Sequence, residues 1–115
     1  MALFCCFFSM DQNYSVLVTL QENLPESYSD ESLEMLEQIV THYKEILHLV
    51  AETADQDNNT AYYRRRINAI ESQLRDARYE HSEKQRRTAF EEARENTDMG
   101  IKALLFHLNG SKEVW

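Results

Sequence analysis

Leu33, Leu36, Val40, Tyr43, Leu47, Val50 and Ala54 follow one another at intervals of 3 and 4 in strict alternation. A strand needs a period of two, so this spacing leaves only a helix with one apolar stripe. Three heptad intervals without an error are the pattern by which helices interlock knobs into holes. Ile39 and Ile46 add a second line beside the seam and widen it to the apolar face of a bundle helix. Ser29-Asp30-Glu31 supplies a cap and first-turn acids, and Asp55-Gln56-Asp57-Asn58-Asn59 a break, so the pattern predicts a helix over 30–54.

The rhythm resumes near Thr60. Tyr63, Ile67, Ile70, Leu74, Ala77 and His81 keep the alternation of 4 and 3, and a short polar link between two such helices predicts an antiparallel hairpin. After His81 the phase slips, and the next apolar positions are Ala89, Phe90 and Ala93. Ser82 and Gln85 have the spacing of a capping box that would start a new helix. No Gly or Pro lies between Thr60 and Met99, however, so the favoured expectation is one continuous helix to about residue 95. Leu17, Leu20 and Leu24 have helical spacing and favour a helix over 11–24 that ends at Pro25, although Val16-Leu17-Val18-Thr19-Leu20 also has the β-branched density of a strand. Ile101, Leu104, Leu105 and Leu108 predict a short one over 98–108, stopped by Asn109-Gly110, with Ser111–Trp115 as a frayed tail.

A sandwich or barrel needs a turn every ~8–12 residues, and 2 Gly and 1 Pro in 115 residues cannot supply them. The expected fold is all-α: one helical domain over 1–115, an antiparallel helical hairpin or bundle of three to four helices with coiled-coil-like heptad packing, its core in 30–108. Charge divides along the chain. Residues 1–60 hold eleven acids and one base, Lys44, whereas 61–115 hold nine acids and eleven bases. The hairpin therefore sets an acidic arm against a basic one beginning Arg64-Arg65-Arg66, an arrangement that favours antiparallel orientation and register.

Nine of the first ten residues, MALFCCFFSM, are apolar. The run lacks the basic region and small-residue cleavage site of a signal peptide, and Asp11 ends it at half the ~20 residues of a bilayer span. Leu3, Phe4, Phe7 and Phe8 could cover an apolar groove on the bundle or on a second copy. Palmitoylation of Cys5 or Cys6 and a true start at Met10 are the other readings. Two adjacent cysteines make no disulfide framework, which points to a reducing cytoplasm.

Catalytic signatures are thin. Glu45-Ile-Leu-His48 is an E-x-x-H, but a carboxylate-bridged metal pair needs a second such motif, and both side chains point away from a seam containing Leu47. His81 falls where the seam places a core residue, with His42 and His107 on other faces. The sequence contains neither G-x-x-x-x-G-K nor G-x-G-x-x-G, the two common phosphate-binding loops. No enzyme activity, cofactor or metal is expected. Eight bases in residues 60–90 are interleaved with Glu71, Asp76, Glu80 and Glu83, and the whole chain carries −8, which argues against direct nucleic-acid binding. Conversely, the acidic helix face with Glu31, Glu34 and Glu37 is the candidate partner-binding surface, either for another protein or as a phosphate mimic that inhibits a nucleic-acid-binding complex in the manner of an anti-CRISPR.

The segment Glu83 to Asn109 carries Phe90-Glu91 followed by Arg94 and a closing aliphatic helix ending Leu108-Asn109. In these 27 residues the chain resembles a family of short helical proteins of unknown function from Gram-positive bacteria and their mobile elements. It departs from the family pattern at Gln85 or Arg86, where an aromatic is expected, and at Asp98, where a histidine is expected. The resemblance implies a small bacterial accessory protein and assigns no residue a role. Together these readings predict a non-catalytic interaction module, a bacterial or phage-borne adaptor or inhibitor. They also predict a homodimer, with Leu3, Phe4, Phe7, Phe8, Ile39 and Ile46 at the contact between copies.

Overall fold

The computed structural model describes the backbone of residues 10–54 and 57–113, and side chains within 13–49 and 62–106 and at 108. Four helices follow in order: α1, Met10–Glu22; α2, Asp30–Ala54; α3, Asp57–Tyr79; and α4, Glu83–Glu113. The all-α expectation holds, with no strand among the described residues. Local chemistry sets the ends of α1 and α2. The Asn23 amide closes onto the carbonyls of Thr19 and Leu20, and the Leu24 amide donates to the Gln21 carbonyl at 3.3 Å, just before Pro25 stops further helix. Ser29 Oγ accepts from the Ser32 amide at 3.0 Å, with Asp30 and Glu31 in the first turn of α2.

The continuous helix expected from Thr60 to about residue 95 is interrupted at Glu80–Ser82, and the capping signal at Ser82 prevails over the lack of Gly or Pro. Ser82 Oγ accepts from the Gln85 amide at 3.3 Å. Arg86 reaches back to donate to the carbonyls of Glu80 at 2.6 Å and His81 at 3.1 Å, which absorbs acceptors left over where α3 ends. His81 consequently lies exposed in the connection rather than in the core, and the α3 seam ends at Ala77.

In the opposite sense, no separate helix forms over 98–108. The stretch belongs to α4, which also runs past Asn109-Gly110 to Glu113. The stripe that unites it is Phe90, Ala93, Thr97, Ile101, Leu104 and Leu108, all buried. Thr97 hides the period because it is polar. Its hydroxyl donates to the Ala93 carbonyl at 2.7 Å, so it enters the core with its donor satisfied.

The hairpin of α2 and α3 is antiparallel, and two cross-links fix it. Arg78 forks onto Glu37 through Nη2 at 2.6 Å and Nε at 3.1 Å, and Lys44 pairs with Glu71. The first pair is acid on α2 with base on α3, as expected; the second is reversed. The closest helix pair is α3 with α4 rather than α2 with α3. Asn96 of α4 donates to Gln73 at 2.9 Å and accepts from Arg66 at 3.2 Å. Helix α1 lies on α4 through Gln21 to Asp98 at 3.0 Å, while Arg94 donates to the Pro25 carbonyl at 2.6 Å.

Ile39 and Ile46 are 5% and 3% exposed, inside the chain's own core with Leu17, Leu36, Tyr43 and Ile70. They present no surface to another copy. The expectation that places them at a dimer contact is corrected: the four-helix arrangement itself uses both lines of α2. Leu3, Phe4, Phe7 and Phe8 lie outside the described residues.

Candidate interaction surface

Beneath the surface, the helices meet around Tyr43. Its ring is wholly buried, and a Cβ added at Gly100 would stand 2.5 Å from its hydroxyl and 2.9 Å from Cδ of Arg66. Gly100 is therefore required by the close approach of α4, despite the ~0.5–1 kcal/mol that Gly forfeits against Ala in a helix. The Tyr43 hydroxyl and Arg66 Nε are both buried without a hydrogen-bond partner in the protein. Burial pushes the Tyr43 hydroxyl far above its ordinary pKa, and the neighbouring Arg66 charge only partly opposes that. The remaining Arg66 nitrogens are engaged: Nη2 donates to Tyr62 at 2.7 Å, and the guanidinium lies 5.2 Å from the Tyr62 ring centroid. This centre is structural, because an always-charged guanidinium and a phenol held protonated offer no proton to exchange near neutrality.

The outer surface divides by helix. On α2, Glu31 and Glu34 are exposed, whereas Glu37 is half-buried in its bidentate pair with Arg78. A three-carboxylate face is thus reduced to two outward carboxylates, since Glu37 is committed to α3. That hydrogen bond and the Glu37 charge raise the Arg78 pKa, so the arginine stays charged at any working pH. On α3, Arg64, Arg65 and Arg75 are exposed and have no ion pair or hydrogen bond among the described residues. The sequence shows how many arginines there are but not which are spoken for: Arg66, Arg78, Arg86 and Arg87 all bind within the chain.

Between the two stripes lies a groove of about 550 Å³, mainly apolar in lining, with Val40, Thr41 and Lys44 on one wall and Glu71 and Leu74 on the other. It opens because α2 and α3 pack less closely than α3 and α4. The Lys44–Glu71 and Glu37–Arg78 pairs bridge it, so these four charges are paired within the chain, and Glu45 and His48 also line it. Nothing in the apolar periodicity foretells this groove, which arises from how far two helices splay.

The E-x-x-H residues, Glu45 and His48, are exposed on the same side of α2, and His42 Nδ1 lies 3.6 Å from Glu45. Among the described residues no group of three or more His, Cys, Asp or Glu side chains is placed to hold a metal ion, and no helix is long and apolar enough to cross a membrane. The chain matches no family model, no curated protein and no solved structure.

Proposed function

We propose that the chain is a non-catalytic protein-binding module that acts through the outer face of α2 and α3. The observation that carries this reading is the mainly apolar groove of about 550 Å³ set between an acidic and a basic stripe. Apolar grooves with polar rims are the form that protein-recognition sites take, and helical segments commonly dock in them. Its rim ion pairs are made within the chain, so a partner need not supply countercharges for them. The resemblance of residues 83–109 to short helical proteins of unknown function implies a small bacterial accessory protein and bears on no mechanism.

The test is affinity capture from nuclease-treated host lysate, with the full chain, the variant Thr41→Arg, and the pair Glu31→Gln and Glu34→Gln as baits. Thr41 and both glutamates are exposed, so these changes leave the core intact. A protein held by the natural chain and lost with Thr41→Arg supports docking in the groove. Loss with the glutamine pair as well places the acidic stripe in the same contact. A protein bound equally by all three baits removes this face from the interaction.

A further inference from the structure

We infer that the occupant of the α2–α3 face is a second copy of this chain, stacked about a two-fold axis running along the groove, so that each α2 lies on the other copy's α3. This rests on the reading of that face as protein-binding and adds the identity of the partner. The argument is one of charge and symmetry. A closed dimer must present the same patch on both sides, so the patch has to be complementary to itself. This face carries two parallel stripes of opposite sign: Glu34 and Glu45 on α2, and Arg64 and Arg75 on α3, all exposed. A two-fold across the helices lays acid on acid and base on base. A two-fold along the helices lays each acidic stripe on a basic one.

The in-chain pairs set the levels. Glu37 faces Arg78 and Lys44 faces Glu71, which places Arg75 level with Val40. An axis along the groove preserves level, so Arg75 meets the second copy between its Glu34 and its Glu45. Each of those acids is five or six residues from that level, roughly 8–9 Å along the helix at 1.5 Å per residue, which two long side chains span together. The groove walls, Val40 and Leu74, then face their counterparts at the centre and leave water. Each copy carries −8 in all, which repels at long range and makes the local pairing of stripes the selective element.

Sedimentation velocity on the full chain, from micromolar to submillimolar concentration, tests the inference together with two charge-reversed variants. Arg64→Glu with Arg75→Glu reverses the unpaired charges of the α3 stripe to acidic, whereas Glu34→Arg with Glu45→Arg reverses two acids of the α2 stripe to basic. The natural chain is expected to dimerise, and each variant alone to self-associate about tenfold or more weakly. An equimolar mixture of the two variants is expected to recover the dimer, with helical circular dichroism confirming that each is folded. A natural chain that stays monomeric throughout, a dimer that persists in the Arg64→Glu/Arg75→Glu variant, or a mixture that stays monomeric overturns the inference. A monomeric natural chain that still captures a protein lost with Thr41→Arg overturns the second copy as occupant and leaves the protein-binding reading standing.

Discussion

Replacing Tyr43 by Phe is expected to stabilise the protein. The hydroxyl is buried in a ring with no exposed surface and meets no hydrogen-bond partner in the protein. A buried polar group left unpaired forfeits about 1–3 kcal/mol of hydration. Phe keeps the ring and its packing while removing that penalty, so the net gain should be about 1 kcal/mol, or roughly 4 °C in midpoint for a domain near this size. Urea unfolding followed by circular dichroism measures it, and an unchanged denaturant slope shows that the unfolded reference has not moved. The same geometry makes a second, coupled statement. Gly100→Ala alone drives a methyl to within 2.5 Å of the hydroxyl and should destabilise by about 1–3 kcal/mol through overpacking. In the Tyr43→Phe background the nearest ring carbon is at 3.0 Å, so the loss should shrink and the two changes should couple favourably. Destabilisation of 1 kcal/mol or more by Tyr43→Phe alone would refute the reasoning, because it would mean the hydroxyl is paired in solution.

Further outcomes follow from the same structure. Ser82→Ala removes the α4 cap and should cost about 0.5–1 kcal/mol, the low end of the range because its bond is 3.3 Å long, read by the same unfolding assay. A double-mutant cycle on Glu37→Ala and Arg78→Ala should give a coupling energy of no more than about 1 kcal/mol that shrinks in added salt, since the two side chains are 33% and 41% exposed. Partial burial pushes the Asp98 carboxyl up, and hydrogen bonds from Gln21 and Lys102 more than reverse this, so its pKa lies below the ordinary carboxylate value. Its contribution is therefore complete above pH ~4 and lost as pH falls through the lower folded value. The stability gap between the natural chain and Asp98→Asn should narrow on acidification below that point, and a gap that widens there contradicts the sign.

Helices α1 and α2 were legible because each advertises itself twice, by an apolar stripe and by a terminator or cap beside it. The second half is less legible, for reasons visible in single residues. Thr97 is polar yet sits on the buried stripe, so the apolar pattern of one long helix breaks in two there. Asn109-Gly110 resembles a stop signal, although Gly110 lies within α4. At Ser82 a capping signal competes with an unbroken run of helix formers, and the structure takes the Ser82 Oγ cap while Arg86 binds the carbonyls where α3 ends. The surface was least legible. Whether an arginine is outward and unpaired, as Arg75 is, or locked to a neighbour, as Arg78 is, depends on the register of a helix about thirty to forty residues away.

The reversed polarity of the two α2–α3 ion pairs has a consequence for how the chain finds its fold. A seam that repeats every seven residues is indifferent to sliding by seven, since leucines and isoleucines meet equivalents after the shift. The charges are not indifferent. Sliding α3 one heptad in one direction sets Glu37 against Glu71 and Lys44 against Arg64; sliding it in the other sets Lys44 against Arg78. Had both cross-links kept the acid on α2 and the base on α3, a slipped hairpin would have exchanged one attraction for another. Alternating their sense makes the native alignment the one in which both attract, so these exposed pairs, each contributing little to stability, act mainly by excluding the misaligned hairpins that the apolar seam would tolerate.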